Sequence, residues 1–249
     1  MLDLSAYLGR IGQADTGPPT AEHLRRLHRA HLFSVPFENL DIALGRKIVL
    51  DEQSFIHKIV EQRRGGFCYE LNGAFAALLR GLGFQVTLLS ARVPRADGTE
   101  SPEFDHLTLK VDLDKSWLAG VGFGESFLEP LVLEIGEKQN QDGRSFRIVQ
   151  DAPALIVERL EADGWQQQYS FTLTPRRLDE FAPMCHYHQT SPESHFTRKS
   201  VCSIATPQGR TTLTGRNLIV TKAGVRKERQ LGSDEEWRAA LQQYFGVAL

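Results

Sequence analysis

RRGGFCYELN, residues Arg63 to Asn72, places two glycines just before a cysteine and a run that turns helical. Gly65-Gly66 ends the preceding helical pattern, because glycine adopts backbone conformations closed to other residues. The run that follows, Tyr69 to Leu82, carries Leu71, Phe75, Leu78 and Leu79 on one side and stops at Gly81 and Gly83. Cys68 therefore stands at a helix amino terminus, where unpaired amides and the helix dipole favour an anion and draw a thiol toward its thiolate. The same amides suit an oxyanion formed by attack on a carbonyl. A packing cysteine between Phe67 and Leu71 fits the segment equally well, and spacing alone leaves both readings open.

Working outward toward the amino terminus, AEHLRRLHRAHL reads as a helix capped by Thr20, with Leu24, Leu27 and Leu32 as its apolar side and Pro36 as its stop. A second helix is expected from Ser54 to Arg64, carrying Phe55, Ile56, Ile59 and Val60. Beyond Gly83 the pattern changes to short apolar or alternating runs, among them FQVTLLSARV, HLTLKVDL, SWLAGVGF, SFRIVQ, ALIVERL and WQQQYSFTL. A helix at RRLDEFAPM and a loop at CHYHQTSPESHF precede further strands, KSVCSIATP, RTTLTG, NLIVTKAG and VRKERQL. Ser233 and Glu236 form a capping box ahead of EWRAALQQYF. Helices first, strands second and a small mixed piece last give an α+β fold.

The bulk numbers narrow the function classes. A chain of 249 residues with 41% hydrophobic content fills a sizeable core. A formal charge of −2 gives no general attraction to nucleic acid or an anionic membrane. No stretch approaches the roughly 18 uninterrupted apolar residues of a membrane span, and MLDLSAYLGRIG lacks the pattern of a signal peptide, so a cytoplasmic protein is expected. Three cysteines, Cys68, Cys185 and Cys202, are too few for a disulfide scaffold and fit a reducing compartment. The group Cys185, His186, His188, His195 and Cys202 has ligand-type side chains, but its spacing matches no compact zinc pattern, and no metal is expected.

A nucleophilic cysteine needs a base, and His106, opening the alternating run HLTLKVDL, is the best-placed candidate. Four blocks in order, PFENLD (Pro36 to Asp41), RRGGFCYELN, FDHLTLKVDL and WLAGVGFG (Trp117 to Gly124), resemble the signature blocks of arylamine N-acetyltransferases. The TSPESHF and ATPQGR segments and the length extend the resemblance over nearly the whole chain. It implies a cysteine-protease-like core of a helical domain (1–83) and an antiparallel β-barrel (84–190), with a small α/β lid (191–249). It also implies a ping-pong acetyl transfer from acetyl-CoA, as co-substrate, to an arylamine, arylhydroxylamine or hydrazine, in the manner of xenobiotic metabolism, with Cys68 as nucleophile and His106 as base. By the same carry-over, Phe37, Val93 and Phe123 line the acceptor pocket, CoA approaches near Gly124, and Glu38, Arg64 and Asn72 support the site from behind.

The resemblance implies an aspartate orienting His106 in the WLAGVGFG block, and this chain has Gly120 there. Glycine has no side chain to hold an imidazole tautomer; in the serine-protease template, neutralising the orienting acid costs about 10⁴ in turnover. Asp105 neighbours the histidine and should face the opposite side of an extended strand, and Asp112 lies too far along it. Glu125 follows the GFG turn and is the remaining substitute. A weakened Cys-His dyad, a displaced carboxylate and a non-catalytic homologue that binds CoA or an aryl ligand all remain open, as does an amide synthase using the same Cys-His pair.

Overall fold

The computed structural model describes residues 2–249. Helices occupy the first third: α1 (Leu4–Arg10), α2 (Ala21–Ser34), α3 (Leu40–Ala43), α4 (Glu52–Ile56) and α5 (Cys68–Gly81), with the short strand β1 (Phe37–Glu38) between α2 and α3. Thr20 Oγ1 accepts from His23 N at 3.2 Å and starts α2, which ends two residues before Pro36. The helix expected over Ser54 to Arg64 is shorter and starts earlier. It is α4 continued by a π-helical turn, His57–Glu61, whose wider winding buries Lys58 beside Ile59. Helix α5 departs from the one-sided expectation as well, since every residue from Cys68 to Leu79 is buried. Ala74, Ala76 and Ala77 make its second side slim enough to run through the core.

An eight-stranded antiparallel sheet follows: β2 (Gln85–Arg92), β3 (His106–Asp112), β4 (Ser116–Ala119), β5 (Leu131–Val132), β6 (Gln139–Gln141), β7 (Arg144–Asp151), β8 (Ala154–Glu161) and β9 (Gly164–Phe171). Its spatial order is β5-β4-β3-β2-β9-β8-β7-β6. Leu88, Leu107, Leu109 and Val111 turn one face of β2 and β3 onto Phe75 and Leu79 of α5, which sets Cys68 and His106 on adjoining elements. The strand expected through SWLAGVGF stops at Ala119, because residues 120–124 leave the sheet.

A 3-10 turn (Leu178–Phe181) leads into α6 (Ala182–Thr190) and α7 (His195–Arg198), so much of the expected loop CHYHQTSPESHF is helical. Pro183 lies in the first turn of α6, where its missing N–H is no loss, and it opens the helix. Strands β10 (Val201–Thr206), β11 (Gly209–Thr214), β12 (Asn217–Lys222) and β13 (Val225–Gln230) build a second sheet with α8 (Asp234–Phe245) packed on it through Leu241 and Phe245. The expected α+β class holds.

β1 links these parts. It adds to the second sheet with Phe37 opposite Ser203 and Glu38 opposite Cys202, while Glu38 N donates to Gly66 O at 2.8 Å. The Gly-Gly turn therefore runs directly against Pro36–Glu38. A Cβ on Gly65 would lie 1.9 Å from the Pro36 carbonyl oxygen, a backbone atom with no room to retreat. Gly65→Ala is expected to lower stability by ~3 kcal/mol, at the upper end of overpacking penalties, read as a reduced urea midpoint at unchanged slope.

Candidate active site

Behind the Gly-Gly turn lies a network of buried charge. Arg64 Nε donates to Glu38 Oε1 at 3.0 Å and its Nη2 to Asp41 Oδ1 at 3.1 Å. Lys58 Nζ reaches Asp41 Oδ2 at 2.7 Å and Glu70 Oε1 at 2.8 Å, and Glu70 Oε2 accepts from Phe67 N at 3.1 Å. Burial pushes the Glu70 carboxyl up to about 7, with Lys58 opposing the shift. Arg10 completes the frame by donating to the carbonyls of Ile59 (2.9 Å) and Ser34 (2.6 Å). Glu38 and Arg64 thus form the expected supporting pair, and Asp41, Lys58, Glu70 and Arg10 extend it. The sequence pattern gave no sign of that extension, since no regular spacing joins these residues.

Cys68 opens α5 and lines a cavity of about 380 Å³ together with His106, the first residue of β3. Phe37, Val93, Phe123 and Phe196 give the cavity apolar walls, so the three expected pocket residues meet there and Phe196 of α7 joins them. Gly124 is not among the lining residues of this cavity; its φ of +88° turns the chain away after Phe123. At Gly122 a Cβ would come within 2.8 Å of Cys68 Cα, so glycine lets this loop close over Cys68. Asn72 braces the arrangement: its Nδ2 donates to Leu107 O at 2.6 Å, and its Oδ1 accepts from Val121 N at 2.8 Å.

The electrostatics oppose the expectation that the helix terminus draws Cys68 toward thiolate. Burial raises its thiol well above the ordinary value, and the Asp105 carboxylate adds to the shift, against backbone hydrogen bonding that lowers it. The amide of Phe67, at the helix start, is already occupied by Glu70. The thiol points at the Asp105 carbonyl oxygen, 3.9 Å away. His106 is pushed down to about 4 by burial, with Asp105 acting the other way. It is therefore neutral at pH 7, as a general base must be before it takes a proton.

Among the described residues no carboxylate pairs with His106, and each sequence candidate is engaged elsewhere. Asp105 Oδ1 lies 3.1 Å from His188 Nε2. Asp112 pairs with Lys110 and Ser116, and Glu125 bonds Arg144 at 2.8 Å. The His106 ring packs instead on Phe123 and Tyr169, with centroids 5.1 and 5.2 Å away. Gly120 is fixed by His28, whose Nε2 lies 3.1 Å from Gly120 O and whose Nδ1 lies 2.9 Å from Leu128 O. Among the described residues no group of three or more His, Cys, Asp or Glu side chains is disposed to hold a metal, and no helix is long and apolar enough to cross a membrane.

A family model described as N-acetyltransferase matches residues 20–249. The solved arylamine N-acetyltransferase of Salmonella typhimurium superposes with a TM-score of 0.94 at 34% identity, covering 99% of this chain and 92% of that one. The Mycobacterium marinum arylamine N-acetyltransferase, solved in complex with CoA, gives 0.90 at 31% identity, covering 98% and 93%. A Bacillus cereus arylamine N-acetyltransferase described as having a unique Cys-His-Glu catalytic triad gives 0.92 at 25% identity, covering the whole of both chains.

A Cβ at position 120 meets Thr108 Oγ1 at 3.1 Å and Phe127 Cζ at 3.8 Å, so a side chain there requires the buried Thr108 hydroxyl to give by a few tenths of an ångström. By the expectation that position 120 faces His106, a carboxylate there would favour the imidazolium and, through it, the thiolate. The Gly120→Asp variant should alkylate with iodoacetamide along a pH profile whose midpoint lies about one to two units below that of the unaltered chain. Unmoved profiles would show that residue 120 does not communicate with His106.

Proposed function

Because the chain belongs to the arylamine N-acetyltransferase family, an acetyl-CoA-dependent acyltransferase family, we propose that it transfers the acetyl group through a Cys68 thioester, with His106 as the only side-chain base. The observation that carries this reading is the shared apolar cavity in which a buried cysteine at a helix start and a neutral histidine at a strand start meet. In the first half-reaction His106 takes the Cys68 proton and the sulfur attacks the thioester carbonyl of acetyl-CoA. The tetrahedral oxyanion forms beside the first turn of α5, and CoA leaves as the thiol with the proton from His106. In the second, the acceptor nitrogen attacks the acetyl-cysteine carbonyl, His106 removes its proton, and Cys68 is released as the thiol. A thiol is more acidic than a serine hydroxyl, so this pair needs less help from an orienting acid than a serine triad does.

Phe37, Val93, Phe123 and Phe196 suit a flat aryl acceptor. Gly124, at the end of the loop over Cys68, leaves the approach for the CoA arm open. The same reading divides the chain near residues 83 and 190 and, with three unpaired cysteines, assigns it to a reducing cytoplasm.

Mixing the protein with acetyl-CoA should add the mass of one acetyl group to the peptide containing Cys68. Adding an arylamine should then remove that mass while the N-acetyl product accumulates. Cys68→Ala should do neither. An unlabelled Cys68 peptide in a protein that binds CoA would replace the transferase with a non-catalytic binding homologue.

A further inference from the structure

His106 lacks an orienting carboxylate, yet the three residues ending in it are among the most heavily pinned of the chain. Phe104 sits at φ +68°, a left-handed conformation that a bulky side chain adopts only when its surroundings impose it. Four contacts impose it. Ser90 Oγ accepts from Phe104 N at 2.7 Å, and the Tyr69 hydroxyl donates to Phe104 O at 2.8 Å and lies 3.2 Å from Asp105 O. The Phe104 ring meets Phe181 edge-on at 5.1 Å, and the Arg176 guanidinium covers it at 5.0 Å. On the following residue, the Asp105 carboxylate lies 3.1 Å from His188 Nε2, a close polar contact outside hydrogen-bond geometry, and His188 Nδ1 is held 3.3 Å from Ser194 Oγ. Tyr69 and His188 are both buried. None of these groups has a part in the chemistry assigned above.

Tyr69 follows Cys68 directly on α5. One side chain therefore fixes the peptide leading into His106 relative to the nucleophile's own helix turn. The Asp105–His188 contact holds the same peptide from the α6 side. We propose that Tyr69 and the Asp105–His188 pair are positioning residues for His106, fixing its imidazole through the backbone in place of a side-chain acid at position 120. The inference rests on the Cys68–His106 reading of the site. It explains how a rigid His106 is compatible with Gly120: the constraint that a triad applies to the ring is applied here to the residue's φ/ψ and to the start of β3.

The test compares single-turnover acetylation of Cys68 in Tyr69→Phe, His188→Leu and His188→Gln, with Gly120→Asp as a second background. Removal of the Tyr69 hydroxyl or of the His188 imidazole should slow acetylation at saturating acetyl-CoA about tenfold or more, since small misplacements of a catalytic group carry such penalties. The half-saturating acetyl-CoA concentration should stay within about twofold of the parent. His188→Gln, which keeps a polar group facing Asp105, should retain most of the rate, and Gly120→Asp should restore Tyr69→Phe to nearly the rate of Gly120→Asp alone. A purely structural loss would not be repaired by an acid at position 120. Parental rates in Tyr69→Phe and His188→Leu would overturn the inference, as would equal rates in the Gln and Leu variants. Absence of acetyl-Cys68 in the unaltered protein would instead overturn the transferase reading on which the inference stands.

Discussion

The buried ion network formed by Glu38, Asp41, Lys58, Arg64 and Glu70 is the constraint on which the rest of the site depends. It joins four stretches remote in sequence: the segment after Pro36, the π-helical turn, the residues before the Gly-Gly turn and the first turn of α5. Desolvation makes such networks poor sources of net stability, but leaving one member unpaired costs about 3–5 kcal/mol. That asymmetry gives it directive power, because an arrangement that separates any partner is penalised at once. Three carboxylates face two cations, and the upward shift of Glu70 to about 7 fits a cluster that keeps a proton near neutrality to balance its charge. With the network closed, Gly65 has only the space against Pro36 O to occupy, and the start of α5 follows.

The charge frame supports a site whose own electrostatics run toward neutrality. Burial raises the Cys68 thiol and lowers the His106 imidazole, so both shifts favour the uncharged pair over thiolate and imidazolium. The helix dipole at Cys68 acts in the other direction, but its terminal amides are partly engaged by Glu70 and the surroundings are apolar. In the proposed transfer, a substrate carbonyl entering the cavity would change this balance by taking the negative charge onto an oxygen beside those amides. The chemistry assigned to the pair needs ionisation in the transition state and not at rest.

How much of this was legible in the sequence divides along physical lines. The helix at Cys68 and the strand opened by His106 rest on local conformational preference and lie where the pattern put them, whereas the preceding helix ends at Glu61 with Arg63 as its left-handed residue, and Gly65 and Gly66 serve close approach and not backbone freedom. Local reasoning failed where tertiary burial decided the outcome. Cys68 at a helix terminus reads as an activated thiol until the depth of α5 is known. Lys58 and Glu70 drew no notice in the pattern, and it is the wider π-helical turn that carries the lysine inward to the glutamate. The segment from Cys185 to Thr190 reads as a loop because its histidines and polar residues show no apolar side, yet Pro183 starts a helix there and His188 is buried by it. Phe196 gave no signal because its place in the cavity depends on how α7 docks against residues far away in sequence.

Asp105 shows why nearness in sequence misleads about chemistry. Asp105 lies in the bend before β3 and not in the expected extended strand, and its carboxylate faces a histidine of α6 and not the neighbouring His106. Its carbonyl, on the same peptide, faces the Cys68 sulfur. The residue thus touches the site through its backbone and the surrounding helices through its side chain. Asp105 also acts on the imidazole through its charge, favouring the protonated ring against the burial that disfavours it. Position 105 thus joins an electrostatic pull on the imidazole to a hold on the chain that carries it.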